Sequence, residues 1–119
     1  MELEYQKIAK AVREVFGEYL GSSNPELANK WIGGEVALRP GVAGAQEKIV
    51  PIDDLFHKIV MIRDQLRVLE QKINSAPELP DLKRAEWQQH LSRIYGTLTT
   101  FNVLFADADD RFVGQKGER

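Results

Sequence analysis

The residues Ile52, Leu55, Ile59, Ile62, Leu66, Leu69 and Ile73 follow one another at spacings of three and four, without a break. That rhythm draws one apolar line along a helix, the pattern of a helix packed lengthwise against another. A second line, Trp87, Leu91, Ile94, Leu98, Phe101 and Phe105, follows after the short connector Ser75-Ala76-Pro77-Glu78-Leu79-Pro80. Two long helices joined by so short a loop must be antiparallel neighbours. Matching the lines about the turn pairs Leu69 with Trp87, Leu66 with Leu91, Ile62 with Ile94 and Leu55 with Phe101. The seam is therefore expected to be core, buried within the chain.

The remaining segments attach to this hairpin. Residues 3–20 read as a helix, because Tyr5, Ile8, Val12, Val15 and Tyr19 recur at helical spacing and Gly21 can end it. Asn24-Pro25 is a cap-and-proline start for a short helix over 25–32, stopped by Gly33-Gly34. Residues 33–50 hold two short runs, around Val36–Leu38 and Lys48–Val50, flanking the turn composition Pro40-Gly41-Val42-Ala43-Gly44, and predict a loop or a small β-hairpin. Helices are predicted over 51–74 and 80–105, with Asp53 and Asp54 favouring the positive end of the first. The whole is a mainly α chain, a helical bundle built on a long antiparallel α-hairpin plus an N-terminal helix, with a small extended or β-hairpin-like insertion. Residues 1–112 form one domain and 113–119, with Gly114, Lys116 and Gly117 among them, a disordered tail.

Composition excludes several kinds of chemistry. At 119 residues the chain can bury one core. A net charge of −2 argues against nucleic acid as the main partner. The absence of cysteine removes disulfides, thiolate metal sites and cysteine nucleophiles. No apolar leader and no run long enough to cross a membrane is present, so the expected compartment is the cytoplasm.

Motifs for chemistry are missing too. His57 follows Asp53, and His90 follows Glu86, by one helical turn, a spacing that usually reflects surface electrostatics. Asp107, Asp109 and Asp110 lack the glycine and closing glutamate of a calcium loop. No glycine-rich phosphate loop or serine nucleophile motif occurs. No catalytic, cofactor or metal residue is therefore assigned.

Two leftover faces and one polar group carry the functional expectation. Met61 and Val68 make the long helix apolar away from its seam. Ser92, Gly96 and Thr99, with Val103 beyond, form a stripe of small residues on the next helix. Glycine inside a helix costs about 1 kcal/mol relative to alanine, so Gly96 asks for the close approach of another backbone. Arg63, Arg67 and Glu70 flank the seam as a polar contact, paired with one another or turned to an anionic group on a partner. The expected function is a non-enzymatic assembly module, a homodimer or higher oligomer that also meets another protein through its helix faces. One alternative is an accessory subunit that touches nucleic acid, or an enzyme acting on it, through the basic hairpin tip of Lys72, Lys83, Arg84 and Arg93. The other is a small ligand-binding bundle with a pocket near His57, Arg63 and Arg67.

Overall fold

The computed structural model describes residues 4–12 and 24–114. The chain is mainly α with a small two-stranded sheet. Residues 4–12 are helical (α1). The strands β1 (Glu35–Leu38) and β2 (Lys48–Pro51) pair antiparallel, and the long helices α2 (Ile52–Ser75) and α3 (Asp81–Leu98) form the hairpin. The stretch 13–20 of the predicted first helix lies outside the described residues.

The β-hairpin aligns Val36 with Val50 and Leu38 with Lys48, and Gly44 takes φ 80° in the connecting loop, which a side chain would resist. Arg39 and Glu47 close the loop with a 2.6 Å ion pair. Chain flow from β2 into α2 is direct: Pro51 is the last strand residue and the N-cap, with Asp53 and Asp54 in the first turn.

Three local expectations are corrected. The short helix predicted over 25–32 is reduced to a 3-10 turn, Asn29–Trp31. Its residues are drawn into backbone pairing with the far end of the chain, with Ala28 N donating to Leu104 O at 2.7 Å and Ala106 N to Glu26 O at 2.9 Å. That pairing takes up Glu26 O, which an α-helix over 25–32 would need for its own ladder. The helix predicted over 80–105 ends at Leu98 and tightens into a 3-10 helix, Thr99–Leu104. Thr97 and Thr99 donate their hydroxyls back to Arg93 O and Gly96 O, loosening the α ladder there. Of the tail expected to be disordered over 113–119, the described start is docked, because the backbone at Gly114 lies against Ser92, Tyr95 and Gly96 of α3, and 115–119 lie outside the described residues.

The core sits at the closed base of the hairpin. Ile52, Phe56 and Ile59 of α2 meet Leu104, Phe105 and Phe112. Phe105, only 1% exposed, takes Phe56 edge-on at 5.2 Å and Phe112 at 5.7 Å. At the hairpin tip, the Arg84 guanidinium donates to the carbonyls of Ile73, Ala76 and Leu79, capping the orphan end of α2.

The seam is only half core. Ile52, Ile59 and Ile73 are buried, but Ile62 and Leu69 are each 47% exposed, and so are Trp87 and Ile94 across the hairpin to a similar degree. The buried face of α2 instead runs through Phe56 and Arg63, which shifts the contact around the helix by about 50° from the predicted line. The reason is the base: Leu104, Phe105 and Phe112 draw α2 round to face them. The packing of α1 also differs from expectation. Its stripe of Tyr5, Ile8 and Val12 is exposed, and its recorded tie to the body is a 2.8 Å ion pair from Lys10 to Asp107.

Candidate functional site

Residue chemistry gathers in two places on opposite flanks of α2. The first is a groove of about 580 Å³ along the open flank, lined by Met61, Ile62, Leu66, Val68 and Leu69, with Gln65 and Lys72 as its polar members. The two predicted interface residues Met61 and Val68 thus lie in one groove with the two seam residues that the chain fails to bury.

The second is a polar cavity of about 300 Å³ where α2, α3 and the segment 109–113 meet. The three residues singled out for polar contact, Arg63, Arg67 and Glu70, all line it, because they stand at successive turns on one flank of α2. From α3 comes Tyr95, and from the closing segment come Arg111 and Phe112. His57 is exposed and takes no part.

Arg63 is the anchor of that cavity. At 7% exposed it is the buried charge of the described core. Its Nε donates to Asp110 O at 3.0 Å and its Nη1 to Asp64 Oδ1 at 3.3 Å, while Nη2 lies 3.9 Å from Asp110 Oδ1. Burial lowers the guanidinium pKa, and the neighbouring positive charge of Arg67 lowers it further, against the carboxylates of Asp110 and Asp64. Asp110 is itself pushed up by burial, although Arg63 pulls the other way. The Tyr95 hydroxyl donates to Glu70 Oε1 at 3.4 Å, and burial followed by the Glu70 charge makes that phenol a weaker acid than usual.

The closing segment acts as a strap. Asn102 grips it through both backbone groups of one residue, donating Nδ2 to Phe112 O at 3.0 Å and accepting from Phe112 N at 2.7 Å. Asp107 turns the chain by accepting Asp109 N at 3.0 Å, and its carboxyl is held low first by the hydrogen bond from Lys10 and then by that from Asp109 N. The strap then crosses the small stripe of α3, where a Cβ on Gly114 would stand 2.7 Å from Tyr95 Cβ and 3.0 Å from Gly96 N.

This places the other predicted interface residues. Gly96 is buried, Ser92 and Thr99 are half-buried, and Val103 is exposed. The close backbone approach that Gly96 calls for comes from the chain's own strap. At Ser92 and Gly96 the stripe is therefore met by the chain itself, while Val103 beyond them stays exposed. The basic tip is likewise reduced: Arg84 is committed to three carbonyls, and Lys83 lies 3.7 Å from Glu86. Among the described residues no three His, Asp or Glu side chains converge as a metal site, and no helix is long and apolar enough to cross a membrane.

A family model described as Domain of unknown function (DUF8685) matches residues 22–111. The chain belongs to that family. The match takes in the β-hairpin, both long helices and Arg111, so the groove and most of the cavity wall are parts of the family domain; Phe112 and Val113 stand just beyond it. No curated protein and no solved structure matches the chain.

Strap residues were the ones that sequence reasoning missed. Phe112, Arg111 and Asn102 belong to no periodic line, and a contact made by one asparagine to the backbone of one residue leaves no spacing to read. The one available signal was Gly96, whose cost inside a helix announces a close neighbour without saying which.

Proposed function

We propose that the protein is a non-enzymatic assembly module, and that the groove on α2 receives α2 of a second copy. The observation that carries this reading is the exposure of Ile62 and Leu69 inside an otherwise continuous apolar seam. An antiparallel partner on a two-fold axis passing between Gln65 and Leu66 sets Ile62 of each copy opposite Leu69 of the other. The same patch then serves both subunits, as a two-fold interface requires. Gln65 falls beside the axis, where the two amides can pair, and Met61 and Val68 broaden the contact. Trp87 and Ile94 add to the apolar surface that the hairpin leaves open.

Shape supports the same reading. The Cα radius of gyration is 17.9 Å, against about 14 Å for a compact domain of this length. The hairpin arm beyond its phenylalanine base is thin, with Ile73 and Leu91 its buried apolar residues. A partner lying along the arm supplies the layer that the chain lacks.

Sedimentation tests it. The wild-type chain at tens of micromolar is expected to run at twice its 13.5 kDa mass. The double variant Ile62→Glu, Leu69→Glu is expected to run at the single-chain mass with its helical circular dichroism intact. A wild-type protein that stays at 13.5 kDa overturns the reading.

A further inference from the structure

Each strand of the β-hairpin has one outer edge, and the two edges differ. Ile52 N donates to Gly34 O at 2.9 Å, so the register makes Val36 and Leu38 the β1 residues that bond across to β2. Glu35 and Ala37 turn their N–H and C=O groups the other way, and both residues are exposed. Among the described residues no backbone hydrogen bond takes those groups up. On β2 the outward positions are Ile49 and Pro51, and a proline offers no N–H. Protected edges carry proline, lysine or a bulge, and the outward positions of β1 carry none of them. Pro40 falls at an inward position and biases Arg39 before it towards extended backbone, which prolongs the open edge by one residue.

We propose that this edge is self-complementary and is taken by β1 of a second copy running antiparallel. Outward positions must face outward positions, and charge selects among the registers that remain. Glu35 opposite Glu35 sets like charges together, and Glu35 opposite Ala37 leaves the glutamate without a charged neighbour across the strands. With Ala37 opposite Ala37, Glu35 of each copy faces Arg39 of the other. Arg39 is exposed and meets Glu47 through Nε at 2.6 Å, and a guanidinium has further donors for a second carboxylate. The same register sets Leu38, 54% exposed, opposite Val36 of the other copy. The two-fold axis stands perpendicular to the joined sheet, so both copies keep Val36, which packs on the core, on one face of it.

The edge shares no residue with the α2 groove. So short an edge buries far less than the roughly 1,600 Å² of a standard interface, and the contact between single chains is weak. Chains already paired through α2 carry two such edges, which would link pair to pair; that last step rests on the reading of the groove given above.

Sedimentation of the variant Ile62→Glu, Leu69→Glu isolates the edge from the groove. Its mass is expected to be that of one chain at tens of micromolar and to rise towards two chains at about a millimolar. On that background Ala37→Pro removes an outward donor without touching the hairpin ladder, and is expected to abolish the rise with circular dichroism unchanged. Glu35→Arg and Arg39→Glu are each expected to weaken association about threefold or more. An equal mixture of those two variants is expected to recover it, because every arginine then faces a glutamate. A single-chain mass up to about a millimolar, full association in Ala37→Pro, or no recovery in the mixture overturns the proposal. The wild-type mass at tens of micromolar reads the groove by itself, so a failure of pairing through α2 and a failure of the edge are told apart.

Discussion

Asp110 shows how one side chain joins the strap to the helix pair. Its main-chain oxygen accepts from Arg63 Nε, so the strap stays attached whatever the charge of its carboxyl. The carboxyl itself is pushed above its usual pKa, chiefly by burial, with Asp107 and Asp109 adding to the push and Arg63 and Lys10 opposing it. A raised carboxyl pKa means that the folded state binds this proton more tightly than the unfolded chain does. The contribution of Asp110 to stability therefore falls as pH rises from about 4 through its raised value. Asp110→Asn removes that dependence while keeping the carbonyl contact. The variant is expected to be as stable as the wild type, or slightly more so, at pH 7, and its advantage to shrink on acidification towards pH 4. Urea unfolding at a series of pH values measures this. A variant less stable by about 1 kcal/mol or more at neutral pH would show that the Arg63 charge pair outweighs desolvation. Little of this was legible in the sequence: proximity of Asp110 to Arg63 across 47 positions is a product of tertiary closure.

Elements were far more legible than their orientation. The three-four spacing of α2 and α3 predicts both helices and their antiparallel arrangement, and the structure has them at Ile52–Ser75 and Asp81–Leu98. Spacing fixes a line on a helix, but rotation about the axis depends on what stands opposite. Here Leu104, Phe105 and Phe112 stand opposite: Phe105 closes the predicted line of the second helix, but Leu104, on the 3-10 helix, and Phe112, on the strap, belong to no line. The seam consequently splits into members that hold the chain and members that face out. Leu91, 3% exposed, belongs to the first group and Ile62 to the second. Leu91→Ala is expected to cost about 2–5 kcal/mol of folding stability. Ile62→Ala is expected to cost the isolated chain under about 1 kcal/mol, while weakening self-association. Denaturant midpoints at high dilution, set beside sedimentation at high concentration, separate the two effects. Equal losses of folding stability would mean that Ile62 is core after all.

At the scale of the molecule, the sequence predicts a bundle in which the first helix covers the hairpin, and the structure has a flatter body, 53 × 48 × 18 Å. Amphipathic spacing in α1 says only that Tyr5, Ile8 and Val12 need cover. It does not say whether that cover comes from α2 of the same chain or from another molecule. In the structure the stripe is exposed and α1 is tied to the body by Lys10 and Asp107, an exposed pair of the kind that contributes about 1 kcal/mol at most. The open groove on α2 and the open stripe on α1 are thus two consequences of one arrangement, in which neither element folds onto the other. Small-angle scattering from the monomeric variant Ile62→Glu, Leu69→Glu discriminates the two arrangements. If the arm stands alone, the single chain keeps a radius of gyration near 17.9 Å, and the wild-type assembly exceeds it. If α1 closes over the groove in solution, the single chain contracts towards about 14 Å, and the surface assigned to a second copy is already occupied.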